Sequence, residues 1–145
     1  MNHEINMIEQ WLYWPPAQPY EDKYFFSEIN FTSTEWTIEL TKNNKWVVLF
    51  FKNGIIHYRC SQELFCIVLW DVLIDCKFDY GRRTFFMVKN STYVQTIHQS
   101  VGVQYLTDLL HFCLICDDVV IDIIASHEPE LTFSLQSDPD PMPQA

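Results

Sequence analysis

Glycine is nearly missing from this chain: three occur in 145 residues, at Gly54, Gly81 and Gly102. Phosphate-cradling loops, nucleophile elbows and oxyanion turns rely on glycine for positive φ and close backbone approach. No G-x-G-x-x-G, G-x-x-x-x-G-K or G-x-S-x-G is present, so no enzyme class is announced by a motif. Positive charge is scarce too. Nine Lys and Arg stand against nineteen Asp and Glu, a net charge of −10. That field repels phosphate backbones, so direct binding of nucleic acid is not expected. The one basic cluster is Lys77, Arg82, Arg83 and Lys89 around Tyr80, Phe85 and Phe86, and its arginines are expected to pair with nearby carboxylates.

Long apolar runs are also lacking. Asp71 and Asp75, and then Asp117, Asp118 and Asp122, interrupt the most hydrophobic stretches before they reach the ~18–20 residues of a membrane span. Glu4 and Glu9 stand where a signal peptide would need basic and apolar regions. No membrane association is expected, and the cytoplasm is the expected compartment. An odd set of five cysteines in apolar surroundings reads as reduced thiols.

What is plentiful is core material: 48% hydrophobic and 16% aromatic residues, enough for one packed domain. That domain is expected over residues 1–136. The tail 137–145, with three prolines and two aspartates, is expected to fray. Residues 3–14 repeat Ile5, Ile8 and Leu12 at helical spacing, and Pro15, Pro16 and Pro19 stop them. "YFFSEINF" reads as a strand. In "EWTIELT" apolar and polar residues alternate, "KNNK" turns, and "WVVLFF" reads as a central strand covered on both faces. Asn53-Gly54 signals a type I′ hairpin into "IIHYRC", completing a three-stranded meander. Ser61 then caps a helix through about Cys76. "TFFMVK" and "TYVQTIH" read as a second hairpin about Asn90-Ser91. A second helix is expected from about residue 100 to Cys116, followed by strands in "VVIDII" and "LTFSL". The expected fold is therefore a single α+β domain, a mostly antiparallel sheet of five to seven strands packed against two helices.

"HFCLICDD", residues 111–118, concentrates the reactive side chains. On a helix, Cys113 and Cys116 would share a face. Structural zinc needs four ligands, and only one C-x-x-C exists here. His57 and Cys60 would point to opposite faces of a strand. A redox C-x-x-C belongs at a helix N-terminus, whereas Asp117 and Asp118 raise rather than lower a thiol pKa. The two cysteines are expected to be small core residues. No metal and no cofactor is expected.

The remaining features are charge and aromatics. Asp71, Asp75 and Asp79, with Asp117, Asp118, Asp122, Glu128 and Glu130, are the candidate acidic docking patch. Trp11, Trp14 and Tyr20 are the candidate aromatic anchors. The expectation is a non-enzymatic cytosolic protein that neutralises a basic protein partner, as an immunity protein shields a cell from a nuclease-type toxin. A phage-type inhibitor that imitates nucleic acid, as an anti-CRISPR protein does, is the first alternative. A Cys/His-dependent enzyme is the second.

Overall fold

A computed structural model of the chain describes residues 9–62, 82–101 and 108–135. The helix expected after Ser61, the carboxylates Asp71, Asp75 and Asp79, and the tail 137–145 lie outside these residues. The described chain is α+β, but its nine strands form two antiparallel sheets rather than one. In chain order they are β1 (Gln10–Tyr13), β2 (Phe25–Phe31), β3 (Trp36–Lys42), β4 (Lys45–Phe51), β5 (His57–Gln62), β6 (Phe85–Lys89), β7 (Leu110–Ile115), β8 (Val119–Ala125) and β9 (Glu130–Leu135). A 3-10 helix spans Pro15–Tyr20, and an α-helix, α1, spans Thr92–Val101. One sheet runs β1-β6-β7-β8-β5, the other β2-β3-β4-β9.

The two sheets share a core. Ile38, Leu40, Val47, Leu49 and Phe51 of the four-stranded sheet pack with Phe85, Phe112, Leu114, Ile121 and Ile123 of the five-stranded one. Trp14, Ala17 and Tyr24 close one side of this layer. The far face of the five-stranded sheet is apolar as well. Trp11, Phe86, Val88, Cys113, Ile115 and Val120 form a second cluster there, and Tyr93 and Ile97 of α1 pack with Ile124. Every residue from His111 to Ile115 is therefore buried, because β7 is central in its sheet and covered on both sides.

Several local expectations are overturned. Residues 10–13 form an edge strand on β6, with Trp11 opposite Val88 and Tyr13 opposite Phe86, not the end of a helix. "TYVQTIH" is helical. Ser91 Oγ accepts the Val94 N–H at 3.1 Å, as an N-cap does, and Tyr93 and Ile97 bury one helical face. Leu110–Ile115 is a strand, because a run apolar on every side satisfies helical and strand spacing alike. β4 is buried on one face only: Val47, Leu49 and Phe51 face the core, while Trp46, Val48 and Phe50 are half-buried on the outer face.

The hairpin of β3 and β4 is as expected, with Asn43 in the left-handed region at φ 54°. The meander is not. A type I′ turn needs positive φ at both central positions, and of Asn53 and Gly54 only Gly54 has it, at 81°. Its N–H donates to the Phe51 carbonyl at 3.1 Å, and the chain leaves for the other sheet, where the Ile56 N–H donates to the Ile124 carbonyl at 2.8 Å. β5 then pairs with β8, and β9 takes the edge of β4.

Candidate functional site

"HFCLICDD" is a central strand and the turn after it, so its side chains alternate between two cores. Cys113 sits with Trp11 and Val120, and Cys116 sits between the sheets. The pair cannot converge on one ion. Among the described residues no group of three or more His, Cys, Asp and Glu is placed to hold a metal. Burial is the first cause that pushes the Cys116 thiol far above its ordinary pKa, with the Asp118 charge adding to it. Such a thiol is inert at neutral pH. His57 and Cys60 on β5 do point to opposite faces, since His57 pairs with Ile124 and Cys60 with Ile121.

His111 lies on the outer face of the five-stranded sheet and anchors a buried chain of polar groups. The Val94 N–H donates to Ser91 Oγ at 3.1 Å, and the Ser91 hydroxyl lies 2.6 Å from His111 Nδ1. His111 Nε2 lies 2.7 Å from Asp122 Oδ1, and Arg59 Nε donates to Asp122 Oδ2 at 2.9 Å. The Arg59 guanidinium rests 4.0 Å from the centre of the Tyr93 ring, whose hydroxyl bonds His57 Nδ1. Every bond is satisfied if His111 carries its proton on Nε2 and accepts the serine hydroxyl on Nδ1. Burial works against the Asp122 charge, but the hydrogen bonds from His111 and Arg59 and the Arg59 charge outweigh it and hold the carboxyl below its ordinary pKa.

Ser, His and Asp in a line invite comparison with a hydrolytic triad. The geometry answers it. Ser91, His111 and Asp122 are 4%, 3% and 6% exposed, and Ser91 Oγ already caps α1. A nucleophile needs space about 3 Å away for a reacting carbonyl, and a hydroxyl buried in this way offers none. The array fastens β5, β7, β8 and α1 together.

The structure divides the expected acidic patch. Asp117 and Asp118 are exposed at the β7–β8 turn, where Asp118 Oδ1 accepts the Phe26 N–H at 3.1 Å. Glu128 and Glu130 are exposed beyond the other end of β8, about 20 Å away at 3.4 Å per residue. Asp122 is buried in the bridge just described and belongs to no surface. Of the expected anchors, Trp11 and Trp14 are 6% and 1% exposed and serve as core. Tyr20 is exposed but stacks on Phe133, ring centres 4.6 Å apart.

The end of the sandwich that carries Asp117 is also rich in cations. Asp22 bridges Lys42 and Lys45 at 2.7 and 2.8 Å. Burial opposes its charge, but the two ammonium groups outweigh this and lower its pKa to about 2. Next to it, Glu21 Oε1 accepts the Thr84 and Phe85 N–H groups at 3.4 and 3.2 Å, while Oε2 is buried without a partner. Burial raises the Glu21 pKa to about 7 against the pull of those bonds and of Arg83 and Lys23.

The opposite end differs in character. Phe31 is 66% exposed and stacks on Trp36, ring centres 4.7 Å apart; Tyr58, 42% exposed, meets Trp36 edge-on at 5.3 Å. Their exposure is not disorder. The β2–β3 turn is tied by the Thr32 N–H to the Glu35 carbonyl at 2.9 Å and by the Glu35 N–H to Thr32 Oγ1 at 3.2 Å. A methyl group built on Gly54 would lie 3.7 Å from Trp36, and Gly54 also lines a cavity of about 150 Å³. Phe50, Phe51, Lys52, Asn53, His127, Glu128 and Glu130 form its other walls. Glu128 is held by the buried indole N–H of Trp14 at 3.4 Å. Among the described residues neither Glu128 nor Glu130 makes an ion pair. Sequence reasoning named the carboxylates but missed Phe31, Trp36 and Tyr58, which are ordinary strand aromatics until pairing places them at an open corner.

No protein-family model, curated protein or solved structure matches this chain. No helix among the described residues is long and apolar enough to cross a membrane.

Proposed function

We propose that this chain is a non-enzymatic binding protein that masks a basic protein partner, in the manner of an immunity protein acting on a nuclease-type toxin in the cytoplasm. The observation that carries the proposal is the pairing, at one end of the sandwich, of ordered exposed aromatics with carboxylates that no cation among the described residues neutralises. Interface hot spots are built from such aromatics. Uncompensated carboxylates steer a cationic partner and make its association fast and salt-sensitive. Glu28 lies directly across from Glu39 on the outer face of the same sheet, a like-charge pair that costs stability in the free protein. A cationic surface laid over it would relieve that cost.

The test places a photo-crosslinking phenylalanine analogue at Phe31 and, as a control, at Lys89 on the far sheet. A partner with a basic surface is expected to cross-link from Phe31 and not from Lys89. With the purified pair, the association rate is expected to fall at least about tenfold between 50 and 300 mM salt. A rate indifferent to salt overturns the proposal. Displacement of DNA or RNA from that partner would show imitation of nucleic acid instead.

A further inference from the structure

We infer that the open end of the sandwich is a receptor for a guanidinium-bearing segment: an arginine of the partner stacks in the corner of Phe31, Trp36 and Tyr58, and a cationic head group enters the adjoining cavity of Glu128 and Glu130. This rests on the partner-binding proposal above and supplies its chemistry.

Two independent features select the same ligand. The first is the aromatic corner. Phe31 and Trp36 are nearly parallel, with 19° between their planes, and Tyr58 stands at 62° to Trp36. The three rings pack on one another, and Phe31 and Tyr58, at 66% and 42% exposure, keep ring surface open to solvent beside Trp36. Planar guanidinium is the cation best suited to stack there, being flat and weakly hydrated. The protein already makes such contacts, with Arg59 on Tyr93 and Arg83 on Tyr13 at 4.0 and 4.1 Å.

The second feature is the cavity. At about 150 Å³ it holds roughly five waters at ~30 Å³ each, well below the 300–1,000 Å³ of a metabolite site. That is room for the head of one side chain. Its polar groups favour a donor. Glu128 is held in place through one oxygen by Trp14 Nε1, and its other oxygen is available to a ligand. The Asn53 amide N–H is turned toward His127 Nδ1 at 3.3 Å, with Ser126 Oγ on the same nitrogen at 2.8 Å, so the Asn53 carbonyl remains as an acceptor. Lys52 also lines the cavity and bonds neither carboxylate. It is the internal competitor for the site. Gly54 lines the cavity, and a methyl group built on it would lie 3.7 Å from Trp36, which places the cavity and the aromatics side by side.

The probe is N-acetyl-arginine amide, titrated into the full ¹⁵N-labelled chain, with N-acetyl-citrulline amide as the neutral isostere. Millimolar saturation is expected, with shifts confined to the amides of residues 31–36, 50–58 and 126–130, and none with citrulline. Phe31→Ala, at a position 66% exposed, and Glu130→Gln are each expected to weaken binding about two- to fivefold. Lys52→Ala is expected to strengthen it. Equal binding of citrulline, or shifts centred on Asp117 and Asp118, overturns the site. If the partner complex keeps its salt dependence while Phe31→Ala and Glu130→Gln leave its affinity unchanged, the receptor assignment fails and the partner proposal stands. If no salt-dependent complex forms but the arginine shifts appear, the partner proposal fails and the cation site stands.

Discussion

Glu21 gives the sharpest quantitative expectation. Its carboxyl is half-buried, one oxygen takes two backbone N–H groups, and the other is buried with no partner. Burial moves its pKa from an ordinary 4.5 to about 7. The folded state therefore keeps this proton to a higher pH than the unfolded chain does. Below about pH 4.5 both states are protonated and the group has no effect on stability relative to that reference. Between there and about pH 7 the unfolded chain ionises first, so stability falls as pH rises through this window and stays low above it. At 1.36 kcal/mol per pH unit the loss is at most about 3 kcal/mol. Partial solvent access to the side chain reduces this to about 1–2 kcal/mol. Glu21→Gln keeps an oxygen for Thr84 and Phe85 but cannot ionise. Urea unfolding of both proteins at pH 5, 6, 7 and 8 is expected to show a stability difference, variant minus wild type, that rises by about 1–2 kcal/mol with pH. Contributions of the other ionisable groups cancel in that difference, as does any constant cost of placing an amide nitrogen at the Oε2 site. A difference that stays flat between pH 5 and 8 refutes the assignment of a buried, ionisation-resisting carboxyl.

Two further expectations concern the five-stranded sheet. Asp122→Asn removes the charge and turns one of the two oxygens that meet His111 and Arg59 into an amide NH2 facing a donor, and is expected to cost about 2–4 kcal/mol in denaturant unfolding, against about 0.5 kcal/mol or less for Asp117→Asn on the exposed turn; equal costs would show that the bridge is dispensable. Cys113 and Cys116, at 0% and 1% exposure, are expected to resist alkylation in native buffer and to react only on unfolding, as peptide mass mapping would show. Native labelling at Cys116 would contradict its place between the sheets.

How much was legible in the sequence varied by element, and the reasons are physical. The β3–β4 hairpin could be read because alternation in "EWTIELT" and the Asn43-Asn44 turn are local signals. β2, β6, β8 and β9 were likewise marked by their own β-branched and aromatic residues. β7 was read as a helix because Leu110–Ile115 buries both of its faces, and such a run has no period to reveal. α1 was read as a strand because Ser91 looked like a turn residue. Its role as an N-cap, followed by Tyr93 and Ile97 four apart, was the available signal. The site fared similarly. Glu128 and Glu130 stood out as charges, whereas Asp122 carried the same charge and is buried. Nothing local distinguishes a carboxylate that will meet an arginine on a neighbouring strand from one that will meet water.

The sequence by itself determined the class of object: an acidic, aromatic-rich, mostly antiparallel α+β chain with a single C-x-x-C. Charge, composition and spacing are sums over the chain, and they need no partner in space. Only the tertiary structure decided that there are two sheets, that β5 abandons β4 for β8, that Asp122 is an internal counter-ion, and that Phe31, Trp36 and Tyr58 meet at an open corner. Each of these depends on which distant strand takes a given edge. Edge pairing is settled by burial of whole faces between residues far apart in the chain, a long-range balance that short stretches of sequence do not carry.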